Sequence, residues 1–125
     1  MTKSYKVVGI GNAIIDILAY VDDEFLIKNN IEKGIMNLIS SDRSKELLKE
    51  IKVSKKVAGG SAANTIVGLS QLGLDTYYIG KVNNDILGKY FTDELKTNHV
   101  TFNNLNKINL NNLATGHCIV LVTPD

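Results

Sequence analysis

The sequence is poor in several residues that would restrict its structure, and each shortage excludes a class of protein. It has one cysteine, one proline and no tryptophan among 125 residues. The single cysteine, Cys118, cannot form an internal disulfide, and the absence of a Cys/His cluster excludes a structural zinc site. No apolar run approaches the roughly 20 residues that span a bilayer. The N-terminal segment lacks the uninterrupted apolar region of a signal peptide, so we expect a cytoplasmic protein.

The chain also lacks an excess of either charge, with 14 Lys and Arg against 13 Asp and Glu. The net charge of +1 gives no electrostatic reason to expect nucleic acid or an anionic membrane as a partner. Hydrophobic residues make up 44% of the chain and charged residues 22%, which is typical of a globular protein. The turn-forming Thr-Pro-Asp at 123–125 predicts that a partner strand follows. We therefore expect the N-terminal part of a longer protein.

The apolar pattern predicts strands that alternate with helices, which is typical of an α/β sheet with a parallel centre. Helices are predicted to begin at an N-cap on Ser41 or Asp42, to run from Ala62 to a C-cap at Gly73, and to follow an N-cap on Asp85. Strands are predicted over 5–10, 14–21, 53–58, 76–82 and 116–122. The apolar segment 34–39 is able to pair with the strand before it. Irregular chain is predicted over 22–33 and a loop over 103–112.

The glycines after the first strand do not complete a nucleotide-binding fingerprint. Gly9 and Gly11 match its first two positions, but the third position is Ile14. The chain then continues in a strand-like pattern where the fingerprint requires a helix. A P-loop sequence is also absent, so neither common phosphate-binding motif is present.

Asp16 is a candidate for binding hydroxyl groups, because its carboxylate stands within an apolar strand. An ionised carboxylate there is costly unless it is hydrogen bonded, and two neighbouring hydroxyls of a sugar would supply those bonds. The alternative is that Asp16 caps a turn or faces water at a sheet edge. Asn12 likewise either contributes to this site or occupies a left-handed turn position.

A second candidate site is the pair of glycines, Gly59 and Gly60, before a predicted helix. Two glycines let the main chain approach a ligand closely, and a helix N-terminus offers free N–H donors. Asn64 follows in the first turn of the helix, so its amide is predicted to point toward the same place. The alternative is a purely structural strand-to-helix turn with Asn64 exposed.

The remaining reactive side chains have simpler interpretations. His99 and His117 have no nearby cysteine or acidic ligands in the sequence and are predicted to be solvated or core histidines. Cys118 is predicted to be a small buried apolar residue. The pair at 55–56, both lysines, is predicted to lie on a solvated edge.

Five motifs follow one another along the chain. They are Gly-Ile-Gly-Asn-Ala-Ile-Ile-Asp at 9–16, Lys-Gly-Ile-Met-Asn-Leu-Ile at 33–39, Ala-Gly-Gly-Ser-Ala-Ala-Asn-Thr at 58–65, Gly-Lys-Val-Asn-Asn-Asp-Ile-Leu-Gly at 80–88, and Thr-Gly-His-Cys-Ile-Val-Leu-Val-Thr-Pro-Asp at 115–125. In this order they resemble the start of a ribokinase-like (PfkB) carbohydrate kinase. The opening motif, together with Val-Asp-Asp-Glu-Phe-Leu at 21–26, is most similar to the adenosine kinase-like branch.

The resemblance implies the N-terminal part of a ribokinase-like doubly wound α/β sheet with a small β-lid. Residues 1–125 would all belong to one kinase domain, with lid segments at roughly 17–21, 34–39 and 105–122. It implies ATP-dependent phosphorylation, with Mg²⁺, of the hydroxymethyl group of a ribosyl sugar or nucleoside by the parent protein. The partner would be this small-molecule substrate, with dimerisation through the lid. The alternatives are a ribokinase- or fructokinase-like sugar kinase and a non-catalytic sugar- or nucleoside-binding relative.

The resemblance also implies a set of substrate-binding residues, with Asp16 binding the sugar hydroxyls. The set comprises Asn12, Asp16, Gly59, Gly60, Ser61, Asn64 and, as lid positions, Asn37 and Ile39. Two positions depart from the family pattern: Ile66 stands where a small residue is common, and Asn83 replaces a common glycine. The family's Gly-x-Gly-Asp catalytic loop and ATP site lie in its C-terminal half, so the 125 residues alone are expected to be inactive.

Overall fold

The computed structural model describes residues 4–102, 104 and 113–125. The chain divides into two compact units, Met1–Ile15 with Val57–His117 and Asp16–Lys56 with Cys118–Asp125. No helix among the described residues is long and apolar enough to span a membrane. In chain order the elements are β1 (Val7–Ile10), β2 (Ile14–Tyr20), α1 (Asp23–Lys28), α2 (Ser41–Glu50), β3 (Val53–Gly59), α3 (Ser61–Gln71), β4 (Thr76–Ile79), α4 (Ile86–Thr97), β5 (Thr101–Phe102) and β6 (His117–Val122).

The first unit contains a parallel sheet in the order β1-β4-β5. This arrangement confirms the predicted α/β sheet with a parallel centre. Gly9 on β1 pairs with Tyr78 on β4. Because the two strands are parallel, the chain leaves both at the same edge of the sheet. Beyond the strand ends, the N–H of Gly11 still donates to the carbonyl of Ile79 at 3.1 Å, which holds the two exits together.

The core of the first unit lies between this sheet and the two helices α3 and α4. The rings of Tyr78, Phe91 and Phe102 contact one another, with centroids 5.5–5.9 Å apart. On α3, Ile66 is only 2% exposed, and its side chain fills the space where a Cβ on Gly9 would fall, 2.4 Å away. The branched residue at position 66 is therefore accommodated by the missing side chain at Gly9.

Asp85 begins α4 as predicted, and it also anchors the chain before β6. Its Oδ1 accepts from the Gly88 N–H and the Thr115 hydroxyl, both at 2.7 Å, and its Oδ2 accepts from the Thr115 N–H at 2.8 Å. The Thr115 oxygen in turn accepts from the Asn83 N–H at 2.9 Å. Partial burial acts to raise the pKa of Asp85, but the bonds from Thr115 and Gly88, with nearby His117, outweigh it and hold the pKa below its ordinary value of 3.8.

The second unit contains most of the sheet ordered β3-β2-β6. Along β2, Ile17 and Ala19 are buried, whereas Asp16 and Leu18, which alternate with them, are only half-buried. Helices α1 and α2 are joined through Arg43, whose Nη2 donates to both the main-chain and side-chain oxygens of buried Asn29 at 2.9 Å. The amphipathic strand and this polar link together define the packing of the second unit.

The structure corrects three predictions in this unit. The segment 22–33 is not wholly irregular, because the Asp22 carboxylate caps α1 by accepting from the Phe25 N–H at 2.8 Å. The N-cap of α2 is Ser40, whose hydroxyl accepts from the Arg43 N–H. The segment 34–39 forms no strand. The predicted loop at 103–112 lies, except for residue 104, outside the described residues.

Replacing Thr115 with valine tests the link between α4 and the chain before β6. Valine keeps the shape of threonine but removes the hydroxyl that bonds to Asp85 and Asn83. Because two half-buried partners each lose a bond, we expect Thr115→Val to lower the free energy of unfolding by about 1–3 kcal/mol in urea titrations. Thr97→Val, at the exposed end of α4, serves as the control and should stay within about 0.5 kcal/mol of wild type.

The same substitution has a predictable pH dependence. A carboxylate whose pKa is lowered on folding contributes stability above its ordinary pKa, and that contribution is lost as the pH falls through the folded-state value. The stability difference between wild type and Thr115→Val should therefore be full at pH 6 and shrink below pH 3.8. A difference that stays constant to lower pH would contradict the role of the ionised Asp85.

Candidate functional site

The chain after β1 and the chain entering α3 approach each other closely at Gly60. Gly60 is the N-cap of α3 and has φ 98° and ψ 132°, a conformation that favours glycine. A Cβ at this position would lie 2.6 Å from the carbonyl oxygen of Asn12. The structure thus brings together Asn12 and Gly60, two of the predicted site residues. Gly59, a third, is buried immediately before Gly60 in the chain.

The N-terminus of α3 carries no side-chain cap from the described part of the chain. Its first N–H groups therefore keep their donor capacity with respect to those residues. Ser61 and Asn64 are exposed in this first turn, and the Asn64 N–H donates to the Gly60 carbonyl at 2.9 Å as part of the helix. Gly60, Ser61 and Asn64, which the sequence predicted to lie together, are therefore neighbours because they form the N-cap and first turn of one helix.

An open cavity of about 600 Å³ lies where the chain leaves β1 and β4. Ligands of open α/β sheets bind outside the carboxyl ends of the strands, which is where this cavity lies. Asn12 belongs to its lining, and the Asn12 carbonyl is also the group that approaches Gly60. Its lining is mainly main chain and apolar side chains, with one cation: Ile10, Gly11, Asn12, Ala13, Ile14, Ile79, Gly80, Lys81 and Gly116.

Two glycines of this lining have no room for a side chain, Gly80 because of Tyr78 and Gly11 because of Ala62. A Cβ on Gly80 would lie 2.6 Å from Cε1 of Tyr78, and a Cβ on Gly11 would lie 2.7 Å from Cβ of Ala62 and 3.5 Å from the Tyr78 hydroxyl. Sequence reasoning missed Tyr78 and Lys81. Lys81 carried a signal, because it follows Gly80 in the fourth motif, whereas Tyr78 resembled an ordinary core residue.

Asp16 lies on β2 in the second unit and is half-buried. Within the described part of the chain its carboxylate has no hydrogen-bond or ion-pair partner, which leaves both oxygens able to accept. Its neighbour Cys118 on β6 is exposed, which corrects the prediction of a buried cysteine, because β6 is an edge strand. The buried part of the Cys118 side chain and, secondly, the Asp16 carboxylate raise the pKa of its thiol.

The other two predicted residues of the second unit, Asn37 and Ile39, lie in the exposed segment after Gly34. The Asn37 amide donates to the carbonyls of Glu32 and Ile35 at 3.3 and 3.4 Å, so it stabilises its own loop. These bonds take the place of the strand pairing that the sequence predicted. Ile39 is 45% exposed.

The loop at Asn83 does not need the glycine that is common there. Among the described non-glycine residues, only Asn30 and His99 have positive φ angles. The Asn83 amide instead donates to the carbonyl of Leu113, and its oxygen accepts from the Asn84 N–H. No group of three or more His, Cys, Asp or Glu side chains that could hold a metal ion occurs among the described residues.

Comparison with known proteins gives consistent matches. The sequence profile of the pfkB family carbohydrate kinases matches residues 6–125. The chain is 39% identical over 62 residues to 5-dehydro-2-deoxygluconokinase of Bacillus thuringiensis, covering 50% of this chain and 19% of that protein. The crystal structure of adenosine kinase from Sinorhizobium meliloti is 41% identical, with a TM-score of 0.78, covering 97% of this chain and 36% of that one.

A third match is adenosine kinase from Schistosoma mansoni in complex with adenosine, which is 27% identical with a TM-score of 0.72 over 92% of this chain and 34% of that one. The chain therefore spans about a third of the length of these two solved kinases. Because the family profile covers nearly all of it, the chain belongs to the pfkB family of carbohydrate kinases. Its α/β arrangement corresponds to the N-terminal part of the ribokinase-like fold, as the motifs predicted.

Substitution of Gly60 tests whether the close approach to Asn12 is essential. An alanine there adopts a conformation that only glycine tolerates and places its Cβ against the Asn12 carbonyl. Gly73→Ala is a matched control, because Gly73 also has a positive φ, 88°, but has nothing within 4 Å of a Cβ. We expect Gly73→Ala to cost about 1–2 kcal/mol of unfolding free energy, and Gly60→Ala to cost about 1–3 kcal/mol more. Equal losses would show that the contact is relaxed.

Proposed function

We propose that this chain forms the acceptor-binding part of an ATP-dependent kinase that phosphorylates the hydroxymethyl group of a ribosyl sugar or nucleoside. The observation that carries the proposal is the glycine-lined cavity at the carboxyl ends of β1 and β4, in a chain of the pfkB family. The similarity to an adenosine kinase that holds adenosine supports a nucleoside as acceptor. Transfer itself would be an activity of a longer protein, because the matched kinases extend well beyond this chain.

The proposed binding residues follow from the chemistry of a polyhydroxy acceptor. Asp16 has two oxygens without partners in the described part of the chain. Each oxygen can accept a charge-assisted hydrogen bond from one sugar hydroxyl. Asn12, the main chain at 59–61 and Asn64 would contact the same acceptor from the glycine turn. Asn37 and Ile39 would be lid contacts. Phosphoryl transfer depends mainly on such positioning, because the protein has little covalent chemistry to perform.

The described residues do not provide a metal site or a catalytic loop for phosphoryl transfer. They contain no cluster that could hold a metal ion, and the 125 residues contain no Gly-x-Gly-Asp sequence. We therefore assign ATP and Mg²⁺ to residues of the longer protein and derive no step through them here. Dimerisation through lid segments at 17–21, 34–39 and 105–122, and a cytoplasmic location, are parts of the same proposal.

One observation favours a second acceptor, a sugar acid. The chain matches 5-dehydro-2-deoxygluconokinase, and an acceptor derived from gluconate carries a carboxylate. Lys81 places a cation in the lining of the cavity, where it could pair with that carboxylate. A non-catalytic relative that binds a sugar or nucleoside is the alternative outside the enzyme class.

Phosphoryl transfer to three acceptors separates these candidates. The full-length protein is incubated with ATP, Mg²⁺ and either adenosine, ribose or 5-dehydro-2-deoxygluconate, and the product is followed by phosphorus NMR. We expect one acceptor to be phosphorylated on its hydroxymethyl group, with adenosine favoured, and no transfer by the 125 residues alone. Binding of an acceptor without transfer would support the non-catalytic alternative. Transfer by the 125 residues that is lost in Asp16→Asn would show that they hold a complete active site.

The role of Asp16 is tested by its isosteric amide. Asp16→Asn keeps the shape but loses the charge that accepts two hydroxyls, and each charge-assisted bond contributes about 1.5–3 kcal/mol. We expect calorimetric titration of the full-length protein to show at least a roughly tenfold weaker Kd for the acceptor. Asn37→Ala is the comparison and should weaken binding less, because the amide already bonds to its own loop. Small and equal losses would leave Asp16 with a structural role only.

A further inference from the structure

Tyr78 is a buried residue whose polar atom has no use in the packing of the core. The side chain is fully buried, at 0% exposure, between the sheet and the helices. Its hydroxyl has no hydrogen-bond partner among the described residues. A phenylalanine would make the same ring contacts with Phe91 and Phe102 and would avoid the free-energy cost of burying an unsatisfied hydroxyl. Packing alone therefore gives no reason for a tyrosine at this position.

The position of the ring connects Tyr78 to the cavity. The ring leans from β4 toward the edge of the sheet where the chain leaves the strands, and its Cε1 lies where a side chain on Gly80 would begin. Its hydroxyl lies 3.5 Å from the place of a Cβ on Gly11. Both glycines belong to the cavity lining, and Gly11 also touches Ala62 in the first turn of α3. The unpartnered hydroxyl thus lies directly behind the main chain that an acceptor would contact.

We propose that Tyr78 is a positioning residue of the acceptor site, and that its hydroxyl gains a hydrogen-bond partner only when a polyhydroxy acceptor is bound. The partner is an acceptor oxygen, or one water held by that oxygen, at the main chain of Gly11 and Gly80. This proposal rests on the function proposed above, since it names a further residue of the same site.

The energetic argument follows from the two states of the hydroxyl. In the free protein the unsatisfied donor raises the free energy of the folded state, and in the complex that penalty is removed. The acceptor therefore binds more tightly than its direct contacts alone would give, because binding is coupled to this difference between the two states. Burial raises the pKa of Tyr78, so the phenol remains protonated and can donate.

Tyr78→Phe separates this role from packing, because the two predict opposite changes in stability. In the full-length protein we expect Tyr78→Phe to unfold at an equal or higher Tm, yet to bind the acceptor about three- to tenfold more weakly, with an unchanged Kd for ATP. Tyr77→Phe is the matched control. Tyr77 precedes Tyr78 on the same strand, and its half-buried side chain contacts Tyr5. Neither the Tm nor the acceptor Kd of this variant should change.

Deoxy analogues identify the oxygen concerned. Titration of wild type with 2′-, 3′- and 5′-deoxyadenosine should reveal one analogue whose loss of affinity is smaller in Tyr78→Phe than in wild type, as expected for two groups that interact. If adenosine proves not to be the acceptor, the matching deoxy analogues of the acceptor that binds are used.

The possible outcomes distinguish the role of Tyr78 from the proposed function of the protein. A weaker acceptor Kd with unchanged ATP binding and no loss of Tm would support the proposal. An unchanged acceptor Kd, or a lower Tm with both Kd values weakened alike, would overturn it and make Tyr78 a packing residue. A wild-type protein that binds no nucleoside, pentose or sugar acid would contradict the proposed function itself, and this assignment with it.

Discussion

The close approach of two main-chain segments, at Asn12 and at Gly60, is the constraint on which the candidate site depends. A side chain at Gly60 would meet the Asn12 carbonyl at 2.6 Å, and one at Gly11 would meet Ala62 at 2.7 Å. Glycine at these two positions lets the end of β1 and the start of α3 come together. The N-cap of the helix therefore lies against Asn12, a residue of the cavity lining, although Asn12 and Gly60 are about 50 residues apart in the sequence.

Two other parts of the first unit hold the cavity lining in place, namely the aromatic core and the hydrogen bonds of Asp85. Tyr78 fills the space behind Gly11 and Gly80, so the floor of the cavity is held by the aromatic core. Asp85 joins the start of α4 to Thr115, and the residue after Thr115, Gly116, also lines the cavity. Polar bonds within this unit thus fix the loops, while apolar packing fixes the strands. In the second unit, the oxygens of Asp16 have no partner among the described residues.

Much of this could be predicted from the sequence, because local patterns determine it. Strand alternation, the cap at Asp85 and the glycine turn at 59–60 are each specified by neighbouring residues. The failures have a common physical cause, which is that exposure and pairing depend on distant parts of the chain. The segment 34–39 is apolar enough for a strand but pairs with none of the described strands, and Cys118 is exposed because its strand lies at an edge. The orphaned hydroxyl of Tyr78 could be recognised only in three dimensions.

The central proposal is that Asp16 binds hydroxyl groups of the acceptor of a kinase. A crystal structure of the full-length protein with bound adenosine, the favoured acceptor, tests this claim most directly. The account predicts that two ribose hydroxyls donate to the Asp16 carboxylate at about 2.5–2.7 Å. A nucleoside bound with Asp16 out of contact would contradict the account.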